Sequence, residues 1–136
     1  MKKLFILSIF TLIAFPWVKA QDVVTTPDTN NGPKIQFAAS VHDYGTIEKG
    51  GNGDCEFTFT NTGNEPLILS NVRASCGCTT PSWTQKPVLP GKTGTIKVHY
   101  NTNNVGGFTK TVTVTSNAVN NPRLQLKIKG NVTKPE

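Results

Sequence analysis

Residues 55–60 read Cys55-Glu56-Phe57-Thr58-Phe59-Thr60. Every second side chain is apolar, and those between are charged or hydroxylated. This is the two-residue period of a strand with one face in a core and the other in water. The same period runs outward in both directions. Upstream, Ile35 and Phe37 alternate, and Val41 to Ile47 forms a short extended piece containing Tyr44 and Gly45. Downstream, Asn61-Thr62-Gly63-Asn64-Glu65-Pro66 is a turn cluster leading to a strand over Leu67 to Val72. Ile96, Val98 and Tyr100 share one face of the next strand. Phe108, Val112 and Val114 alternate with Thr109, Thr111, Thr113 and Thr115, and Leu124, Leu126 and Ile128 alternate with Gln125, Lys127 and Lys129. Cys76 to Pro90 reads as irregular, because Pro81, Pro87 and Pro90 remove the donors that regular pairing needs. No convincing helical period appears beyond the first 20 residues. The expectation is an all-β fold, an antiparallel immunoglobulin-like sandwich of about seven strands, with one apolar face per strand. The buried Trp and inter-sheet Cys pair of antibody domains are not recognisable.

The first 20 of the 136 residues do not fit this pattern. Lys2 and Lys3 precede an apolar run from Leu4 to Phe15, and Val18-Lys19-Ala20 supplies the cleavage positions of an export signal, with Gln21 as the new N-terminus. The run is short of the roughly 20 residues a membrane-spanning helix needs. No Cys follows the cleavage point, so a lipid anchor is not indicated. Residues 21–33 are polar and turn-rich and read as a flexible spacer, leaving residues 34–136 as one domain. The whole chain has 14 Lys and Arg against 8 Asp and Glu, a net charge of +6. Half of that excess sits on Lys2, Lys3 and Lys19. The remainder is scattered along strands, which argues against nucleic acid as a partner. A mature chain of this size excludes a multidomain enzyme.

An ordered series of motifs carries a family resemblance. Val41-His42-Asp43-Tyr44-Gly45-Thr46-Ile47 is followed by Phe57-Thr58-Phe59-Thr60-Asn61-Thr62-Gly63 and Pro66-Leu67. Ser75-Cys76-Gly77-Cys78-Thr79 and Pro90-Gly91-Lys92-Thr93-Gly94 come next. Val114-Thr115-Ser116-Asn117 and Leu126-Lys127-Ile128-Lys129-Gly130 close the series. Over about residues 34–132 the chain resembles the bacterial domain-of-unknown-function 1573 family, similar to sperm-protein and Hydin-type immunoglobulin-like domains. The resemblance implies this fold and an exported, envelope setting in a Gram-negative bacterium. It carries no established catalytic activity, so no active site transfers. Cys55 is not part of the family pattern.

Three cysteines leave at least one unpaired in a monomer. Cys76-Gly77-Cys78 has three readings. It is a structural turn, with a disulfide from Cys55 to Cys76 or Cys78 as its sharper form, since Cys55 shares the inward face with Phe57 and Phe59. It is a redox pair, closing a very small ring. Or it is a metal site, Cys76 and Cys78 holding Cu(I) or sharing Zn(II) with imidazoles such as His42 or His99. No Gly-x-Ser-x-Gly elbow, His-Glu-x-x-His or phosphate loop accompanies them. Asp43-Tyr44-Gly45 reads as a strand end, Trp83 as a lid over the core, and His99 as an outward residue.

The function expected is a non-enzymatic structural or protein-interaction module, without cofactor, binding an envelope protein through an edge strand for which Leu124 to Val132 is one candidate. The alternative is a small redox or metal-handling protein built on Cys76 and Cys78. N-terminal sequencing of the exported protein is expected to begin at Gln21; a start before Ala20 contradicts the signal reading.

Overall fold

The computed structural model describes residues 31–136. The export signal and most of the spacer lie outside the described residues. Eight strands follow one another: β1 (Ile35–Phe37), β2 (Val41–Glu48), β3 (Asp54–Asn61), β4 (Leu69–Ala74), β5 (Thr79–Trp83), β6 (Thr93–Tyr100), β7 (Gly106–Ser116) and β8 (Arg123–Thr133). They form two four-stranded sheets, one ordered β1-β3-β6-β5 and the other β2-β8-β7-β4. All neighbours are antiparallel except β2 and β8, which run parallel. The fold is an all-β sandwich, as the alternation requires.

Two features differ from expectation, each for a non-local reason. The Pro-rich stretch contains a strand, β5. Thr84 N–H donates to Thr95 C=O at 3.0 Å and Asn101 N–H to Cys78 C=O at 2.8 Å, so even-numbered residues of β5 face β6. Pro81 therefore turns its donorless nitrogen to the free side, where a ladder loses nothing. The second correction concerns Leu124 to Val132. These residues lie in β8, which is paired on both sides, with β2 and with β7, and is no edge.

Alternation along the strands builds the core. Phe57 and Phe59 of β3, Ile96, Val98 and Tyr100 of β6, Val112 and Val114 of β7, and Leu126, Ile128 and Val132 of β8 are all buried. Tyr100 and Phe108 stack across the two sheets, with ring centroids 3.7 Å apart. The Phe59 ring lies over Gly94, where a Cβ would come within 2.4 Å of it. Each large side chain fully buried in this layer contributes about 2–3 kcal/mol.

A fully buried polar residue ties three segments to this core. Asn61, at the end of β3, donates from its amide nitrogen to Glu65 C=O at 2.7 Å and Val88 C=O at 2.9 Å. Its amide oxygen accepts from Gly63 N–H at 2.9 Å and Lys34 N–H at 3.3 Å. The side chain thus holds the 61–66 turn, the entry to β1 and the segment before β6 together. Gly32 and Pro33, at the end of the expected spacer, are buried beside it, and Gly32 N–H donates to Asn64 Oδ1 at 2.7 Å.

Of the five connections that pass between the sheets, the two shortest are tight crossings. Ala38 N–H still donates to Thr58 C=O in the first sheet, while Ser40 C=O accepts from Lys127 N–H in the second. On the opposite side the chain leaves β4 after Ala74 and enters β5 at Thr79. Among the described residues no helix is long and apolar enough to cross a membrane.

Replacing Asn61 by Ala orphans buried donors and acceptors, and is expected to cost about 2–4 kcal/mol. Chemical denaturation measures this; a loss below about 1 kcal/mol contradicts the assignment.

Candidate functional site

The β4–β5 crossing is built from short-range chemistry. Ser75 N–H donates to Thr111 C=O at 2.9 Å, and Thr111 N–H donates to Ser75 Oγ at 3.2 Å, which ends the β4–β7 ladder. Thr79 N–H donates to Cys76 C=O at 3.3 Å, making a turn, and Cys78 C=O is taken by Asn101. Cys76 and Cys78 are joined as a disulfide, with Cα atoms 5.3 Å apart. The hydroxyl of the buried Thr79 lies 3.7 Å from Cys76 Sγ and 3.8 Å from Cys78 Sγ. Cys78 packs against the core, whereas Gly77 is exposed.

Cys55 is a free thiol. The disulfide expected from it to Cys76 or Cys78 is therefore not formed, and the sheet order gives the reason. Cys55 faces inward, half-buried against the core, and pairs with Val98, which in turn pairs with Pro81. With β6 between, two strand spacings of about 4.8 Å separate β3 from β5, beyond the roughly 7 Å that a disulfide spans. Burial pushes the Cys55 thiol pKa up, partly offset by its hydrogen bond with Tyr44. Burial also raises the Tyr44 phenol, whose O–H donates to Gly53 C=O at 2.7 Å.

The candidate metal partners are placed apart. His42 packs edge-on against Tyr44, centroids 4.5 Å apart, on β2. His99 is on the outer face of β6, and its Nδ1 lies 2.6 Å from Asp54 Oδ1, both side chains largely in solvent. Among the described residues no three His, Cys, Asp or Glu converge. The outer face of β3-β6-β5 carries two cross-strand rows, Asp54–His99–Thr80 and Glu56–Lys97–Ser82, beside a shallow concavity of about 530 Å³. Exposed pairs of this kind add little stability. Trp83 is half-buried over the core.

The crossing also creates an edge that local sequence does not announce. β7 is paired with β8 from Gly106 to Thr115, but with β4 only from Val112 to Ser116. Because Thr111 presents N–H and C=O to the β4 side, alternation turns Thr109 and Gly107 the same way. Among the described residues neither finds a strand partner there. Three other edges, those of β1, β2 and β5, are blunted. The Asn120 side chain donates to Ile35 C=O at 2.9 Å and accepts from Ile35 N–H at 3.0 Å, closing β1. β2 is broken by a bulge between Asp43 and Thr46, where Gly45 has φ 65° and donates its N–H to Asp43 Oδ1. β5 carries Pro81. A depression of about 460 Å³ lined by Gly45, Gly107, Thr109, Lys129 and Asn131 adjoins the open part of β7.

Residues 35–132 match the family model described as "Protein of unknown function (DUF1573)". The chain belongs to this family. Solved structures that it resembles share the sandwich fold. A protein of unknown function from Porphyromonas gingivalis W83 aligns with TM-score 0.67 at 14% identity, over 80% of this chain and 51% of that one. The ASH/PapD-like domain 7 of human CEP192 aligns with TM-score 0.64 at 9% identity, over 99% and 100%. A chain of the CsuC–CsuE chaperone–tip adhesion subunit pre-assembly complex of Acinetobacter baumannii aligns with TM-score 0.54 at 10% identity, over 74% and 57%. This chain thus spans about half the length of the first and third. No curated protein sequence matches it.

Because burial raises the Cys55 thiol pKa, the folded chain holds less thiolate at a given alkaline pH than the unfolded one. Its alkylation at pH 8.5 is expected to be slower than in the unfolded chain, and stability to fall as pH rises through the range where the unfolded thiol ionises. Timed alkylation read by mass checks this; equal rates in the folded and unfolded chains contradict it.

Proposed function

We propose that the domain is an exported, non-enzymatic interaction module of the bacterial cell envelope, which binds a partner polypeptide by taking one of its extended segments alongside β7. The observation that carries this reading is the open backbone of Gly107 and Thr109 next to a fully formed sheet. An incoming strand would run in line with β4 and exchange ladder hydrogen bonds with these two residues. The PapD-like fold, and the likeness to a chain of a chaperone–adhesion subunit complex, support a polypeptide partner.

Side-chain chemistry narrows the partner. Lys110 shares the inward face with Phe108 and Val112, opposite the fully buried Ile128, and is only half-buried. A lysine so placed covers apolar surface with its stem and keeps its ammonium in water. An inward charge at an edge resists casual pairing with apolar strands. A segment that presents an acidic or polar residue opposite Lys110 is accepted, and a wholly apolar one is disfavoured. The adjoining glycine-lined depression leaves room for side chains of the added strand on the outer face.

Thr109→Pro removes one outward donor and blocks close approach of a strand, while the residue's bonding to β8 is unaffected because its polar groups face away from it. The variant is expected to fold normally by circular dichroism and to lose at least about tenfold in partner recovery from native envelope. Lys110→Glu is expected to weaken the same capture. Undiminished capture by both variants contradicts the proposal.

A further inference from the structure

The Cys76–Cys78 bond is poorly suited to being a staple. A disulfide stabilises chiefly by removing freedom from the unfolded chain, and that gain shrinks with the length of chain enclosed. Here it encloses only Gly77. Both ends of the corner are already held by backbone bonds, Ser75 to Thr111 on one side and Asn101 to Cys78 on the other. The architecture of the crossing does not need the covalent link.

The surroundings fit exchange instead. Gly77 faces open space, since a Cβ added there would meet nothing within 4 Å, so a partner backbone can come close to the ring. The two cysteines are unequal: both are half-buried, but only Cys78 packs against the core. The Thr79 hydroxyl sits within 3.8 Å of both sulfurs and is otherwise buried, positioned to donate to a thiolate released at either. Cys55 lies across β6 from this corner and does not compete as an internal nucleophile.

We infer that Cys76–Cys78 is a thiol–disulfide exchange site that oxidises a pair of cysteines in a partner polypeptide. A partner thiolate attacks Cys76 Sγ and forms a mixed disulfide. The Cys76–Cys78 bond breaks, and Cys78 leaves with the electron pair as a thiolate, stabilised by the Thr79 hydroxyl and then protonated from water. The second partner thiolate attacks the partner sulfur of the mixed disulfide, closing the partner's disulfide and releasing Cys76 as a thiolate, which is protonated in turn. The partner dithiol is oxidised by two electrons, and the Cys76–Cys78 disulfide becomes a dithiol. This site operates independently of strand addition at β7.

The test uses a Cys55→Ser protein, oxidised, mixed with an excess of a reduced two-cysteine peptide, quenched with acid and read by alkylation and mass. Peptide disulfide and Cys76/Cys78 thiols are expected to appear one for one. Thr79→Val is expected to slow the reaction several-fold and Thr79→Ser to restore it. Among single-thiol proteins, Cys78→Ser, which keeps Cys76, is expected to form a mixed disulfide with oxidised glutathione about tenfold faster than Cys76→Ser. Persistence of the Cys76–Cys78 bond under excess peptide overturns the proposal, as do equal rates for the two single-thiol proteins. Unfolding of the reduced protein, seen by circular dichroism, would make the bond a staple and overturns it as well.

Discussion

Four residues carry the chain from one sheet to the other between Ala74 and Thr79, and that constraint organises this side of the molecule. Stacked sheets lie about 10 Å apart, so a crossing this short has to turn sharply at the sheet margin. Ser75 ends the ladder with β7 by bonding Thr111 through both its backbone N–H and its hydroxyl. From there β4 no longer accompanies β7, and β5 begins in the other sheet. The leading half of β7 stays uncovered because β4 has left it, and the two sulfurs meet because the turn that takes β4 away is tight.

The opposite side shows what closure looks like in the same protein. There the crossing of Ala38 to Ser40 is followed by a parallel pairing of β2 with β8, and the Asn120 amide satisfies both polar groups of Ile35. Asn61 fixes the adjoining turns and the entry of the chain with four hydrogen bonds. Against this well-satisfied margin, an open pair of residues at Gly107 and Thr109 is a feature of the other side alone among the edges compared. Lys110, inward at that position, makes the opening selective rather than generally adhesive.

Alternation in Cys55–Thr60, Thr95–Tyr100, Phe108–Thr115 and Leu124–Lys129 made the sandwich and most of its core legible from residues alone. The inward direction of Cys55 and the outward direction of His99 followed from the same period. What the period does not encode is which strands become neighbours. β8 reads locally like any half-buried strand, and its central place depends on β2 returning in parallel. Pro81 argues against a strand until its nitrogen is known to face the free side. The cysteine pairing failed for the same reason: inward on β3 is not near the corner once β6 lies between. The open part of β7 had no local signal, although Gly106-Gly107 followed by an inward Lys110 marks such an edge in hindsight.

Residue-resolved hydrogen exchange of the purified domain tests the central claim, that departure of β4 leaves half of β7 open. Phe108 and Lys110 turn their N–H groups to β8, and Gly107 and Thr109 turn theirs to the vacated side. Alternating protection is expected, with Gly107 and Thr109 exchanging rapidly and Phe108 and Lys110 slowly. Protection of Gly107 and Thr109 equal to that of Phe108 and Lys110 would contradict it.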